Sequence, residues 1–396
     1  MSIFNSLGSN YNLQYVFRSL FSDSSGQNQK LKNFLEEKYK GKAVLTYKGR
    51  EALILALKIL NLPKESCVAI NGFTCYAVYK AIYKAGLVPI CLDLEEKNTD
   101  LNFAPAILEK TLKENNSIKV IVVQNTFGYS CNIEAIAQIC RENNIILIED
   151  LAHCVGTKYQ NGKEAGNVGD FVTLSFSQDK VIDAVSGGAL IIKNKKFQNS
   201  TLASQGETLE PQKSKFKTPK NQLKDKLYPL FTYKIRFLYD IGFGKPFHFL
   251  LKKLNLLSKP MQEGLYDFYS LPNWYCNLAL TEFSKLGQQI NHRRKIAEIY
   301  EKKLNEKILN PNITKDISVS SNLRFPIFVE NRGNLIKFLR KHKIFISDIW
   351  YYSVAPECPN AVKISKIILN LPTHISIPEN DALKIAERIN EWLKLQ

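Results

Sequence analysis

Hydrophobic and polar positions alternate with two different periods along the first half of the chain. Short runs rich in Val and Ile predict buried strands at residues 67–70, 89–92, 120–123, 145–148 and 171–176, and another at 189–192. Between the earlier runs, apolar residues spaced three and four apart predict amphipathic helices over 52–60, 77–85 and 133–143. This alternation indicates a mainly parallel sheet with helices on both faces.

The pattern changes after residue 291. A long helical segment, HRRKIAEIYEKKL, precedes apolar runs at 323–329, 335–342 and 344–349, and a closing helix is predicted over 382–395. Because 396 residues exceed the usual size of one domain, a second, smaller α/β domain is expected here. We predict an N-terminal extension over 1–30, a large α/β domain over 31–200, an insertion over 201–270, and interface helices with the smaller domain over 271–396.

The cysteine pattern and the apolar runs argue against a disulfide-stabilised secreted protein and against a membrane-spanning one. The eight cysteines are scattered without a Cys-x-x-Cys pair, which predicts reduced thiols in a cytoplasmic protein and no metal site. The N-terminus lacks the features of a signal peptide, and no run approaches about 18 apolar residues, so no membrane span is expected.

Polar residues at the ends of the later strands suggest an active site. Asp150 and His153 follow the run at 145–148, while Ser175 and Lys180 lie at and beyond the end of the next run. A lysine can bind an aldehyde cofactor covalently if burial or neighbouring cations lower its pKa, and an aspartate can keep a pyridinium nitrogen protonated. Taken alone, these two residues also occur together in many ordinary α/β proteins.

The spacing of the whole motif is more specific. The chain resembles the DegT/StrS family of nucleotide-sugar aminotransferases, whose pattern is E-D-x-A-[QH], then G-D-x-x-x-x-S-F, then K and G-G. The matching residues here are Glu149, Asp150, Ala152, His153, Gly169, Asp170, Ser175, Phe176, Lys180, Gly187 and Gly188. The resemblance covers most of the chain outside residues 1–30 and 195–270. It implies a fold-type I transferase with pyridoxal 5'-phosphate as cofactor.

The resemblance also implies roles for individual residues. Lys180 would bind the cofactor and move protons, Asp150 would hold the ring nitrogen, and His153 would contact the phenolic oxygen. Gly49 and Arg50 at a helix start, together with Ser175, are the candidates for holding the phosphate. Arg50 replaces a small hydroxyl residue that is common in the family, and an ordinary helix cap is the alternative for this segment.

Two further positions differ in how they fit the family. The residue after Thr74 is aromatic in many relatives but is Cys75 here, so we predict that Tyr76 either stacks on the cofactor ring or packs in the core. Asn273 matches an asparagine that relatives extend to the phosphate of a neighbouring subunit, which implies a homodimer with shared active sites.

The insertion concentrates charge and aromatic residues. Residues 211–259 contain 12 Lys or Arg and two Asp, a net charge of about +10 out of +17 for the chain. Such a stretch can lie on an anionic membrane surface, cover a pocket for a sugar-linked diphosphate, or simply pack as a helical insertion. Nucleic acid is not an expected partner, because none of the usual recognition motifs is present.

These observations predict a dimeric aminotransferase in the cytoplasm, with a possible peripheral contact at the inner membrane surface. By resemblance, it would transfer an amino group from an amino acid to a nucleotide-linked keto-sugar for surface polysaccharides or glycoconjugates. The donor that the resemblance implies is L-glutamate. The presence of Lys180 favours transamination over dehydration, since related dehydratases have histidine there. The alternatives are another fold-type I enzyme acting on amino acids and a non-catalytic or regulatory protein that binds the cofactor.

Overall fold

The computed structural model describes residues 2–22, 25–96, 100–199, 222–259, 270–346 and 353–396. The outer parts of the predicted insertion, at 201–221 and 260–269, and the end of the predicted run at 344–349 lie outside these residues.

Strands and helices are numbered in chain order. The strands are β1 Ile3–Phe4, β2 Lys42–Thr46, β3 Cys67–Asn71, β4 Val88–Leu92, β5 Ile118–Val123, β6 Ile146–Asp150, β7 Phe171–Ser175, β8 Gly188–Ile192, β9 Arg324–Phe328, β10 Ile344–Phe345 and β11 Ile368–Pro372. The helices are α1 Leu13–Phe21, α2 Gln27–Tyr39, α3 Gly49–Ile59, α4 Tyr76–Lys84, α5 Pro105–Glu114, α6 Ile133–Glu142, α7 Gln222–Asp240, α8 Gly244–Lys253, α9 Asn273–Ser284, α10 Leu286–Lys303, α11 Pro311–Thr314, α12 Arg332–Lys341, α13 Pro359–Ile367 and α14 Glu379–Lys394.

A seven-stranded sheet organises the large domain, with strand order β2-β8-β7-β6-β5-β3-β4. Neighbouring strands from β7 to β4 pair in parallel, whereas β8 is antiparallel to both β7 and β2. The predicted strands of this sheet agree with the observed bounds to within two residues at each end. The prediction of a mainly parallel α/β fold is therefore confirmed.

Alternate residues of each strand point to opposite faces of this sheet, and each face has its own core. Leu45, Ile121 and Leu174 pack on the side of α2, α6 and α9, while Val44 and Val122 pack with α3 and α4 on the other side. Burial on both faces explains why these strands read as continuous apolar runs.

In the C-terminal part of the chain, another core forms around the antiparallel pair β9 and β11, and it also includes Phe73 and Phe127 from the first half of the chain. Helices α10, α12, α13 and α14 pack on this pair, and the aligned partners include Phe325 with Leu371. The N-terminal segment also joins this domain. Strand β1 pairs in parallel with β10, and the Asn5 side-chain amide donates to the Asn370 carbonyl over 3.0 Å.

Candidate active site

Functional side chains converge at one edge of the large sheet. Parallel strands β6 and β7 end there at Asp150 and Ser175, antiparallel β8 begins there at Gly188, and α3 begins there at Gly49. Lys180 lies on the loop that joins β7 to β8. The carboxyl edge of an open parallel sheet is the usual place for a ligand site, so the topology itself brings these residues together.

Two glycines allow the start of α3 to approach the sheet closely. A Cβ atom built on Gly49 would lie 2.7 Å from the Ser175 Cβ, and one on Gly188 would lie 2.7 Å from the Gly49 Cα. Neither contact is possible for a larger residue unless the backbone moves. Lys48, at the N-cap position, gives no side-chain cap to the first amides of the helix. These amides and the helix dipole form a cradle suited to an anion beside the Ser175 hydroxyl.

The amino group of Lys180 is prepared for nucleophilic chemistry. Burial lowers its pKa from 10.5 to about 8, and the charge of Arg324 acts in the same direction. Asp150 and Asp179 oppose the shift because their carboxylates favour the ammonium form. Burial is therefore the main cause, and a useful fraction of the amine is neutral near physiological pH.

Asp150 is buried at the end of β6 and faces the charge of Lys180. Burial raises the pKa of its carboxyl, while the Ala152 amide, which donates to Oδ1 over 3.0 Å, and Lys180 act against that rise. The carboxylate is thus held in place by the backbone and faces a cationic partner. A positively charged ring nitrogen would be such a partner in a ligand.

The environment of His153 determines its tautomer. The Phe127 backbone amide donates to Nδ1 over 3.3 Å, and Gln124 Nε2 lies 3.0 Å from the same atom. Because a backbone amide can only donate, Nδ1 accepts and the neutral ring has its proton on Nε2. Burial keeps the pKa of His153 well below its ordinary value, so the ring stays neutral. The ring also stacks on Phe127, with centroids 5.7 Å apart.

A second lysine lies beside the anion cradle. Lys48 is 4% exposed, lines the same cavity and has its ammonium 4.6 Å from the centre of the Tyr47 ring. Burial lowers its pKa, and the carboxylate of Asp225 acts in the opposite direction. Together with Arg50, which also lines the cavity, Lys48 places two cationic residues at the start of α3.

The site opens into a cavity of about 1060 Å³, at the upper end of the range for small-molecule sites. Its floor contains the residues described above. Its walls come from segments that are distant in sequence: Phe4 and Leu7 near the N-terminus, Tyr239, His248, Lys252 and Lys259 in the predicted insertion, and Arg340 and Phe345 in the C-terminal domain. Such a volume accommodates a cofactor and a second ligand together.

The insertion is fixed to the floor of the cavity by buried hydrogen bonds. The hydroxyls of Tyr47 and Tyr275 each donate to Asp225 Oδ2 over 2.6 Å, and the Ser258 hydroxyl donates to Oδ1. The Gln178 side-chain amide donates in turn to the Ser258 oxygen over 3.2 Å. Because Gln178 belongs to the loop of Lys180, the insertion and the catalytic loop form one connected network.

Two predicted site residues lie at the margin of this arrangement. Tyr76 is 54% exposed and lines the cavity, so the alternative of core packing is wrong for this residue. Asn273 is not among the residues that line the cavity of its own chain. Its side-chain oxygen accepts from the Asn28 amide over 3.0 Å. Its predicted contact with a neighbouring subunit remains a prediction.

Other residues at the site were not singled out from the sequence. Gln124 follows the end of β5 and accepts from the Thr74 hydroxyl, so the same strand-end rule that indicated Asp150 applies to it. Phe127 has a φ of +55°, an uncommon value for an aromatic residue that often marks a functional site. Arg324, which lies 4.0 Å from Asp179, and the residues of the cavity walls have no local signal.

Comparison with known sequences identifies the group of proteins to which this arrangement belongs. The sequence profile of the DegT/DnrJ/EryC1/StrS aminotransferase family matches residues 16–236 and 263–390. The chain belongs to this family, and it is accordingly an aminotransferase of the pyridoxal phosphate-dependent kind. The match extends into the predicted insertion as far as residue 236, so the part outside the profile, 237–262, is narrower than the range 195–270 inferred from the sequence.

Individual relatives agree with this assignment. The chain is 24% identical to a GDP-perosamine synthase of Escherichia coli O157:H7 over 379 residues, which are 92% of this chain and 89% of the relative. Among solved structures, it resembles Helicobacter pylori PseC, an aminotransferase involved in the biosynthesis of pseudoaminic acid, with a TM-score of 0.71, 16% identity and full coverage of both chains. A sugar aminotransferase from Streptococcus pneumoniae in its PLP form gives a TM-score of 0.68, 16% identity and 99% coverage of each chain. At these identities, the structures support the fold alone.

The residues present fit the cofactor that the family implies. The close approach at Gly49 places the N-terminus of α3, where the helix dipole favours a phosphate, beside Ser175, and Asp150 suits a cationic ring nitrogen. Lys180 supplies the amine that an aldehyde group requires. The residues at this edge of the sheet therefore fit three functional groups of pyridoxal 5'-phosphate: its phosphate, its ring nitrogen and its aldehyde.

Proposed function

We propose that this chain binds pyridoxal 5'-phosphate and transfers an amino group from an amino acid to a keto-sugar carried on a nucleotide. The proposed amino-acid donor is L-glutamate. The central observation is the Lys180 amine, with a pKa of about 8, placed opposite Asp150 at the floor of a cavity of about 1060 Å³. The names of two relatives support a nucleotide-linked substrate: the GDP-perosamine synthase, and DesI, whose structure was solved in the presence of its TDP-sugar product.

Each residue has a defined task in this proposal. The bound cofactor supplies an electron-withdrawing ring that stabilises negative charge at the donor's Cα. Asp150 keeps the ring nitrogen protonated, and the start of α3, with Gly49 and Ser175, holds the phosphate. Lys180 takes the proton from the donor's Cα and later returns a proton to the accepting sugar carbon, which a group of its pKa can do in both directions.

Lys48 and Arg50 have a supporting task at the phosphate. Arg50 stands where the resemblance places a small hydroxyl residue, and Lys48 lies beside it at the cavity, so electrostatic attraction would replace a neutral hydrogen bond. The pKa of Lys48, lowered by burial, would rise again when an anion binds beside it. Neutral His153 would donate from Nε2 to the oxygen on the cofactor ring.

The proposal includes a homodimer in which Asn273 completes the phosphate site of the other subunit. This assignment rests on the family resemblance and on the position of Asn273 at the start of α9, outside its own cavity. We also propose that the enzyme works in the cytoplasm. The eight cysteines are all free thiols, which is typical of proteins from reducing compartments.

A two-stage experiment tests this function. Purified protein with bound cofactor is first mixed with glutamate and other amino acids, and a change of the visible absorption band identifies the donor. Nucleotide keto-sugars are then added, and mass spectrometry detects the amino sugar. Lys180→Ala is the matched inactive control, and borohydride reduction followed by peptide mapping locates the cofactor on Lys180 in the wild type.

The outcomes separate the proposal from its alternatives. A band that shifts with glutamate and an aminated sugar support the proposed reaction. A band that changes only with other amino acids, with release of a different product, would favour another fold-type I enzyme. Bound cofactor with no response to any donor would favour a regulatory protein. Reduced cofactor on a lysine other than Lys180 would overturn the site.

A further inference from the structure

Exposed apolar side chains concentrate on one part of the molecular surface. Among the described residues, eleven of the sixteen large exposed apolar side chains lie on α1, α7, α8 and the turns beside them. We call residues 222–259, which form α7, α8 and the following turn, the basic hairpin. Its exposed members are Leu223, Phe237, Ile241, Phe243, Phe249, Leu250, Leu254 and Leu256. A soluble monomer rarely exposes so many large apolar groups together, so this surface calls for a partner.

Helix α7 has two faces of different character. The inner face is buried against the protein through Asp225, Tyr228 and Ile235, among others. The other face has a stripe at intervals of three and four residues: Leu223, Leu227, Leu230, Lys234, Phe237 and Ile241. Leu223 is 69% exposed and Phe237 is 64% exposed. The stripe therefore faces away from the core that the inner face builds.

Positive charge surrounds these apolar groups. The basic hairpin contains eight Lys or Arg and two Asp. Asp225 is buried, and Asp240 accepts from the Ser2 amide over 2.5 Å, so both carboxylates are used within the fold. The exposed cations include Lys234, Lys245 and Lys253. Large apolar residues with lysines around them are typical of helices that lie in the interface of an anionic membrane.

The basic hairpin is held rigidly in this orientation. Asp225 accepts from three hydroxyls, as described for the cavity, and the Arg236 guanidinium donates to the carbonyls of Leu7 over 3.1 Å and Tyr11 over 2.5 Å. The apolar stripe is thus presented without a conformational change, which reduces the entropy lost on docking. Residues 237–262, which the family profile does not match, include α8, whereas most of α7 lies inside the matched range.

We propose that the basic hairpin docks on the surface of an anionic phospholipid bilayer. A second copy of the chain is the other candidate occupant. In a symmetric pair, however, the lysines of one hairpin would face those of the other, and this repulsion disfavours that arrangement. Anionic headgroups instead neutralise the charge while Phe237, Phe249 and their neighbours enter the headgroup region. No helix within the described ranges is long and apolar enough to cross a membrane, so the contact is peripheral.

Docking would place the cavity at the membrane. Tyr239 on α7 and His248 and Lys252 on α8 line the cavity, while Phe249 and Leu250 on α8 are exposed to solvent. The substrate and product would then exchange close to the bilayer surface. This inference does not depend on the identity of the sugar, because the surface is outside the catalytic floor.

Vesicle co-sedimentation of the full-length protein, with its cofactor, tests the proposal. Vesicles of phosphatidylcholine alone are compared with vesicles that also contain phosphatidylglycerol, at low and at high salt. We expect binding to the anionic vesicles that weakens with salt. The double variant Lys245→Glu with Lys253→Glu should lower the vesicle partition coefficient about 30-fold or more. The double variant Phe237→Ser with Phe249→Ser should lower the partition coefficient at both low and high salt, because it removes apolar contacts that salt does not screen.

Matched controls are available elsewhere on the surface. Tyr83→Ser and Lys113→Glu change an exposed aromatic and an exposed lysine outside the basic hairpin and should bind vesicles as the wild type does. Thermal melts and the absorbance of bound cofactor establish that all variants fold. Equal binding by wild type and hairpin variants would overturn the proposal. Wild-type protein that stays in the supernatant with every kind of vesicle would also overturn it. The same holds if that protein forms oligomers and the hairpin variants disrupt them.

Discussion

The lowered pKa of Lys180 leads to a quantitative prediction that does not require a substrate. With a pKa of about 8, about one Lys180 amine in ten is neutral at pH 7. For an ordinary lysine with a pKa of about 10.4, the fraction is about one in 2500. Only the neutral amine attacks an electrophile, so at pH 7 the reactive fraction of Lys180 should be roughly 200-fold larger than that of an ordinary lysine.

Two substitutions should move this pKa in opposite directions. Asp150→Asn removes a carboxylate that favours the ammonium form, so the pKa of Lys180 should fall below about 8. Arg324→Gln removes a cation that disfavours the ammonium form, so the pKa should rise.

Competitive labelling measures these values. Protein stripped of cofactor with hydroxylamine and then dialysed is treated with a trace of fluorodinitrobenzene between pH 6 and about 11, a range that spans the two lysine pKa values. Mass spectrometry then quantifies the Lys180 peptide. Exposed lysines on the same molecule provide the internal reference for reagent reactivity. A wild-type midpoint near 10 would refute the argument, and so would a shift of the same sign in both variants, since a single structural loosening would then explain both.

Three further predictions concern the proposed reaction. Asp150→Asn should keep the cofactor but lower turnover by several orders of magnitude, because a neutral amide does not hold the ring nitrogen protonated. Loss of a single charge-assisted hydrogen bond already lowers activity by about tenfold or more. Activity within about tenfold of wild type would therefore contradict this role. Gly49→Val should weaken cofactor binding, measured by absorbance after dialysis, because its Cβ would lie 2.7 Å from the Ser175 Cβ; unchanged retention would exclude the cradle. Asn273→Ala should also weaken retention, and mixed dimers with Lys180→Ala should regain activity at the site that combines the two intact residues. Mixtures no more active than either parent would count against shared sites.

The sequence predicts the floor of the site well, for a local reason. Apolar runs mark strands, and the polar residues that follow them must lie at a sheet edge, so Asp150, Ser175 and Lys180 could be grouped without a structure. Apolar periodicity indicates α3 only from Ala52, but the helix start expected at Gly49 and Arg50 agrees with the observed first residue, Gly49, which packs against Ser175. The family, the fold class and the enzyme class were also predicted correctly.

The walls of the cavity could not be predicted in this way. Tyr47 and Asp225 are 178 residues apart in sequence, and their hydrogen bond follows no periodic pattern. The ion pair of Arg324 with Asp179 also joins residues that are far apart in sequence, and no local pattern indicates it. For the insertion, composition left three explanations open, and the structure shows that the same helices both line the cavity and expose apolar residues. A surface of this kind depends on which face of each helix the tertiary contacts cover.

The pairing of β1 with β10 implies an order of assembly during synthesis. Residues 3 and 4 leave the ribosome long before their partners at 344 and 345, and the carbonyl that pairs with the Asn5 side chain lies 365 residues later in the chain. The seven-stranded sheet, which is complete at residue 192, can fold long before then. The nascent protein thus has its catalytic floor before its cavity wall. Throughout that interval, β1 lacks the strand with which it pairs, and a chain interrupted before residue 344 would leave β1 without it.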